Sequence, residues 1–69
     1  MPDDADIDDQ VRQCVAHCLE DIDPPSCVKN YAAGLVPRHG WAQPDADLVA
    51  ERSLNHIVQI TGDESILRR

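Results

Sequence analysis

Apolar residues recur along the first third of the chain at the spacing of an amphipathic helix. Between residues 7 and 22 they follow one another at steps of four, three, four and four, which places their side chains on one helix face. This stripe consists of Ile7, Val11, Cys14, Cys18 and Ile22, widened by Val15 and Leu19. Pro24 then disfavours helical backbone in the residue before it. The pattern predicts a first helix from about residue 7 to about residue 22, capped by Asp6.

Proline and glycine positions predict the next helix. Asp23 can cap a helix over residues 24–33, Pro24 suits its first position, and Gly34 suits the left-handed closing position. Its apolar face would contain Cys27, Val28, Tyr31 and Leu35. The segment that follows, residues 35–44, has two prolines and a glycine, and it is predicted to be an exposed loop.

A third helix is predicted from about residue 45 to residue 61, closed by Gly62. Its stripe is Ala46, Ala50, Ser53, Ile57 and Ile60. The remaining residues, beginning with Asp63, can form a short C-terminal helical turn. With no strand pattern, the sequence predicts an all-α fold, a small three-helix bundle that forms a single domain over residues 1–69, preceded by an acidic tail over residues 1–5.

The composition limits how large the core can be. The chain has 69 residues with one Trp, one Tyr and no Phe, so aliphatic side chains must supply nearly all of the buried volume. A domain of this size buries a smaller fraction of its surface than a larger domain does, and aromatic residues normally provide the largest single burials. We therefore expect the bundle to be completed by self-association as a homodimer or larger homo-oligomer.

The net charge of the chain limits the classes of partner that it is expected to bind. Thirteen acidic and six basic residues give a net charge of −7, which opposes binding to nucleic acid phosphates and to anionic membranes. No apolar run approaches the ~18 residues of a membrane span, and the acidic start is unlike a signal peptide. An odd number of cysteines, three, is typical of reduced thiols. The expected partner is another protein, and the expected location is the cytoplasm.

The three cysteines lie within the stretch "CVAHCLEDIDPPSC" and allow two interpretations. Cys14 and Cys18 are one helical turn apart, so that with Cys27 and His17 they could bind a soft cation, Zn²⁺ or Cu(I), or act as a redox pair. They also fall on the apolar stripe, and free cysteine is among the most buried residue types. Both interpretations stay open at this point, with no cofactor expected if the cysteines are core residues.

The cysteine spacing also resembles that of a known family. Cys14 and Cys18, facing a second helix that opens with Cys27, are similar to the twin Cys-x-x-x-Cys hairpins of small mitochondrial intermembrane-space chaperones. The resemblance covers about eighteen residues and implies an inner pair between Cys18 and Cys27. The outer partner of Cys14 would be Tyr31, so half of the family's pattern is absent and we do not assign the chain to it.

The stretch "PRHGW" is the strongest candidate for a binding surface. Arg38, His39 and Trp41 combine hydrogen-bond donors, a titratable ring and a large amphipathic side chain, which are types enriched at binding hot spots. Trp41 could instead fold back onto the small core. No catalytic residue is predicted, because no nucleophile is paired with a well-placed base. The sequence therefore favours a small acidic helical protein-interaction module (an adaptor, an inhibitor or an accessory subunit of an enzyme) over a soft-metal or thiol-redox protein.

Overall fold

The computed structural model describes residues 3–68 and contains three α-helices followed by a 3₁₀ turn. The helices are α1, Asp4–Cys18, α2, Pro24–His39, and α3, Gln43–Thr61, and the turn is Glu64–Arg68. This confirms the all-α, three-helix fold with a short C-terminal turn. Both α1 and α2 pack more extensively against α3 than against each other, so α3 is the central helix and the α1–α2 seam is the least extensive of the three contacts between α-helices.

The core is built from aliphatic and small side chains contributed by all three helices and the final turn. Cys14 and Cys18 belong to it, as does the hydroxyl-bearing Ser53. Its buried members are Ile7, Val11, Cys14, Val15, Cys18, Val28, Ala32, Leu35, Ala46, Val49, Ser53, Ile57 and Ile66. Ile60, expected on the buried stripe of α3, is 53% exposed, and Val49 is buried more deeply than the predicted Ala50.

The start of α1 is fixed by two aspartates. The Asp6 amide donates to the Asp3 carboxylate at 2.9 Å, and the Asp3 amide donates to the Asp6 carboxylate at 3.3 Å, which is a reciprocal capping box. The cap is therefore Asp3 and not Asp6, and the helix begins three residues before the predicted start. Of the predicted acidic tail, residues 1 and 2 lie outside the described residues, and Asp4 is already helical.

The end of α1 comes four residues earlier than predicted. The chain turns after Cys18, where the Asp21 amide donates to the Cys18 carbonyl at 3.0 Å and the Asp23 amide donates to the Asp21 carboxylate at 2.9 Å. Aspartate side chains compete in this way with helical hydrogen bonds, and negative charge is unfavourable at a helix C-terminus. The prediction that Ile22 belongs to the buried stripe is therefore wrong, and Ile22 is 100% exposed.

Helix α2 is longer than predicted because it runs through Gly34 and Pro37. Proline near the end of a helix removes one backbone donor without breaking earlier turns. The left-handed closing residue is Gly40, with φ 68°, and not Gly34. The segment predicted as an exposed loop over residues 35–44 is thus helical up to His39 and again from Gln43.

The last helix agrees more closely with its prediction. Helix α3 begins at Gln43, two residues before the expected start, and ends at Thr61. Gly62 closes it in the left-handed conformation with φ 73°, as predicted. None of the helices in the described part of the chain combines the length and apolar character needed to span a membrane.

Candidate functional site

Two adjoining surface cavities follow the outer face of α2, beside its seam with α1. One has a volume of about 260 Å³ and the other about 380 Å³. They share Asn30, Tyr31 and Arg38, so they form one continuous depression, which we call the α1–α2 groove. Gly34 and His39 line the smaller cavity, whereas the larger one extends to the end of α1.

Tyr31 lies half-buried in the middle of the groove, where its side chain connects α2 to α1. Its hydroxyl donates to the Gln10 side-chain oxygen on α1 at 2.9 Å, and its ring centroid is 6.2 Å from that of His17. Burial raises the pKa of the Tyr31 hydroxyl, with smaller contributions from the charges of Cys14 and Asp9. Contacts with α1 therefore hold the tyrosine in a fixed position.

Of the three predicted binding residues, two line the groove and one does not. Arg38 borders both cavities and His39 borders the smaller one. A Cβ placed on Gly34 would lie 3.9 Å from Cδ of Arg38, so the arginine side chain runs back across the glycine. Trp41 is half-buried and packs against the core, which agrees with the alternative considered for it.

Arg38 is the basic side chain best placed to meet a ligand in this groove. Arg52 has a carboxylate partner, Asp8, at 3.3 Å. Arg38 has no such partner within that part of the chain. Its guanidinium carries five hydrogen-bond donors in a planar fork. Arg38 can therefore donate to a carboxylate without breaking an existing ion pair.

The cysteines separate into a bonded pair and a buried thiol. Cys18 at the end of α1 and Cys27 in the first turn of α2 form a disulfide with a Cα–Cα distance of 5.6 Å, within the range for this bond. This is the inner pair that the hairpin resemblance implies. Cys18 is fully buried, while Cys27 is half-buried and lines the larger cavity. One residue of the pair, Cys27, therefore borders the groove.

Cys14 is free and lies in the core. Burial raises the pKa of its thiol, and an interaction with Ser53 partly offsets this rise. The Ser53 hydroxyl nevertheless has no hydrogen-bond partner of acceptable geometry in the described chain. This environment suits a small apolar thiol.

The four residues proposed for a soft-metal site thus lie in different environments. Cys14 lies in the core and His17 is exposed on α1, while Cys18 and Cys27 are bonded to each other. In the described residues no group of three or more His, Cys, Asp and Glu side chains is arranged to hold a metal ion. Binding of Zn²⁺ or Cu(I) by these cysteines would require the reduced form of the pair.

Sequence reasoning missed Asn30 and Gly34 as parts of the site. Together with Arg38 they form a row at steps of four residues along α2, which places them on one helix face. The row was visible in the sequence, but it could not be recognised once Gly34 had been taken as the end of the helix.

A second depression lies between α2 and α3 and has a volume of about 350 Å³. Its floor consists of Ala32, Ala33 and Ala50, and Lys29 and Asp47 stand on its two sides. We call it the α2–α3 groove.

Comparison with protein-family models, curated protein sequences and solved structures gives no match to this chain. The functional argument therefore rests on the residues and their arrangement.

Proposed function

We propose that the protein is a small acidic interaction module that binds a segment of another protein in the α1–α2 groove. The observation that carries the proposal is the position of Arg38, which borders both cavities of the groove and has no ion-pair partner within the described chain. Adaptor, inhibitor and accessory-subunit roles all fit such a module. Catalysis by the chain itself is not part of the proposal.

The groove favours a segment that carries a carboxylate. Arg38 offers a bidentate site for it, and the amide of Asn30 adds a donor and an acceptor beside the half-buried Tyr31. Tyrosine and arginine are residue types enriched at binding hot spots. A net charge of −7 opposes nucleic acid and anionic lipid, so a protein partner remains the proposal. We place its action in the cytoplasm, where disulfides are usually transient or redox-sensing, so the Cys18–Cys27 bond would there exchange with the reduced pair.

Selection from a random peptide library displayed on phage tests this proposal. The expected result is enrichment of peptides with Asp, Glu or a free C-terminus that bind the wild-type protein. Arg38→Gln should weaken their binding by about tenfold or more, because a charge-assisted hydrogen bond contributes about 1.5–3 kcal/mol. Arg12→Gln removes the same charge from an exposed position on α1 and serves as the control.

Two outcomes would contradict this function. One is that no peptides are enriched above those binding an unrelated helical protein of similar charge. The other is that the enriched peptides bind Arg38→Gln and Arg12→Gln equally well. Chemical-shift mapping of a bound peptide on the wild-type protein would then show which other surface, if any, is used.

We also infer that the chain forms a homodimer through the α2–α3 groove. Its alanine floor allows close approach of a second backbone, and a two-fold arrangement can set Lys29 of each copy against Asp47 of the other. Sedimentation analysis should give a dimer that Ala33→Glu converts to a monomer with unchanged helix content. The control is Ala16→Glu, also at an exposed helical alanine. A wild-type monomer at all concentrations up to ~1 mM would contradict the inference.

Thiol chemistry is the second candidate function, and the specific observation in its favour is the contact between Cys18 and Cys27. The pair could cycle between thiol and disulfide, or in its reduced form bind Zn²⁺ or Cu(I) with Cys14. Intact mass after alkylation under denaturing conditions distinguishes these forms. Loss of two hydrogens with one alkylated thiol indicates the disulfide, and a native mass with a bound ion and three alkylated thiols indicates a metal site.

A further inference from the structure

The two sulfurs of the Cys18–Cys27 pair differ in their access to solvent. Thiol–disulfide exchange requires a thiolate to approach one sulfur of the bond directly. Cys18 has no exposed surface, whereas Cys27 lines a cavity of about 380 Å³. Cys27 is therefore the residue of the pair that an external thiolate can approach from the cavity, whereas Cys18 is shielded.

The same cavity presents two opposite charges near Cys27. Asp21 and Arg38 both line it. One carboxylate oxygen of Asp21 accepts a hydrogen bond from the Asp23 amide at 2.9 Å, which fixes the side chain and leaves the other oxygen available. Asp21 can accept an ammonium group, and Arg38 can donate to a carboxylate. A ligand with both charges and a thiol would match all three groups.

Helix geometry limits the size of this ligand. The Arg38 side chain lies across Gly34, which is seven residues from Cys27 along α2. At 1.5 Å per residue the guanidinium end of the cavity is thus about 10 Å from Cys27. An extended peptide covers roughly 3.3–3.6 Å per residue, so the distance corresponds to two or three residues. The cavity volume is also within the range of roughly 300–1,000 Å³ typical of small-ligand sites.

We propose that Cys27 is a thiol–disulfide exchange site for a short zwitterionic peptide thiol, with Cys18 as the resolving thiol. In the forward step the ligand thiolate forms a bond to the sulfur of Cys27, the Cys18–Cys27 bond breaks, and its electron pair passes to the sulfur of Cys18, which then takes a proton from water. In the reverse step the Cys18 thiolate attacks Cys27 and expels the ligand as a thiolate. The inference rests on thiol chemistry, the second candidate function, and it is independent of peptide binding.

The test uses Cys18→Ala, in which Cys27 cannot re-form its bond. Its reduced form is mixed with glutathione disulfide, whose halves are zwitterionic peptide thiols, or with cystamine, whose halves lack a carboxylate. Acid-quenched samples are analysed by intact mass and peptide mapping, and each rate is divided by the rate for the same protein unfolded in urea. We expect one adduct, on Cys27, with a normalised rate about tenfold higher for glutathione disulfide.

Three further variants identify the groups responsible. Arg38→Gln should remove the preference for glutathione disulfide, whereas Arg12→Gln, which loses the same charge at an exposed position on α1 outside the cavity, should retain it. Cys27→Ala should gain no adduct, because Cys14 and Cys18 are both buried. If Cys18→Ala does not fold, the mixed disulfide can be trapped by rapid acid quenching of the wild-type protein.

The possible failures can be distinguished. If non-reducing intact mass shows that Cys18 and Cys27 never pair, the second candidate function fails. If they pair but the normalised rates for the two reagents are equal, or if Arg38→Gln and Arg12→Gln behave alike, only the exchange site for a peptide thiol is overturned. Adducts on Cys14 or Cys18 at the rate of Cys27 would overturn it as well.

Discussion

Ser53 places a hydroxyl group in the centre of an otherwise apolar core. The residue has no exposed surface, and its hydroxyl finds no partner of acceptable geometry in the described chain. An unsatisfied buried polar group costs about 1–3 kcal/mol. The small size of serine, however, lets α3 approach α1 closely at Cys14. The small size of the Ser53 side chain therefore favours packing of α3 against α1, whereas its hydroxyl oxygen contributes no stabilising hydrogen bond.

We expect Ser53→Ala to stabilise the protein. The substitution removes the unsatisfied hydroxyl, keeps the side chain small and improves helix propensity, so the free energy of unfolding should rise by about 1 kcal/mol. Urea unfolding followed by circular dichroism gives the measurement. The control is Ser26→Ala, because the Ser26 hydroxyl donates to the Asp23 carboxylate at 2.9 Å and its removal should lower stability slightly. A loss of stability in Ser53→Ala would instead mean that Cys14 or a buried water satisfies the hydroxyl.

The helices show which parts of a sequence pattern are informative and which are not. Apolar spacing was sufficient to predict that three helices exist, because their stripes must be buried in any compact arrangement. It was not sufficient for the ends, where single side chains compete with the backbone. Asp21 bonds the backbone of the turn and ends α1 early, and no periodicity reports such a bond.

The same limit explains why the candidate site was only partly predicted. Arg38 and His39 were selected for their chemistry, but they were assigned to a loop because Gly34 and Pro37 are common after helices. In the folded chain Leu35 is buried, and that packing holds the helix together past the glycine. The groove exists because α2 continues, so its shape depends on tertiary contacts that the local sequence does not specify.

Two glycines of α2 should respond to alanine in opposite directions. Gly34 is inside the helix, and an added Cβ would meet only the Arg38 side chain at 3.9 Å, an ordinary contact. Gly34→Ala should raise the free energy of unfolding by about 0.5–1 kcal/mol. Gly40 has φ 68°, where a Cβ is disfavoured, so Gly40→Ala should lower it by about 1 kcal/mol.

Thermal unfolding of both variants beside the wild type checks this pair of expectations. If Gly34→Ala is destabilising, the helix does not continue through residue 34, and the α1–α2 groove as described is wrong. If Gly40→Ala is neutral, the chain leaves α2 by a different route. The two substitutions have the same chemistry, which makes each the control for the other.

At the scale of the whole molecule, the disulfide joins the two helices that support each other least. Helices α1 and α2 pack mainly on α3, and Cys18 and Cys27 connect the end of one to the start of the other. A domain of this size has a small core and little stability to spare. The covalent link thus compensates for weak packing at the α1–α2 seam, which is also where the groove opens.

Reduction should therefore cost the protein much of its stability. The bond closes a loop with a sequence separation of 9 residues, for which restriction of the unfolded chain gives about 2–3 kcal/mol. In a domain this small we expect tris(2-carboxyethyl)phosphine to lower Tm by roughly 10–20 °C, while a Cys18→Ala, Cys27→Ala double variant should have the same Tm with and without the reductant.

Native-state hydrogen exchange extends this prediction to particular residues. Because α3 retains its contacts with both neighbours, reduction should increase the amide exchange rate most in the first turn of α2 and the last turn of α1. The increase should be smallest around Ile57, which is fully buried. Uniform faster exchange along all three helices would instead mean that the bond stabilises the bundle as a single unit. An unchanged Tm on reduction, with loss of the disulfide verified by mass, would show that packing alone holds the seam.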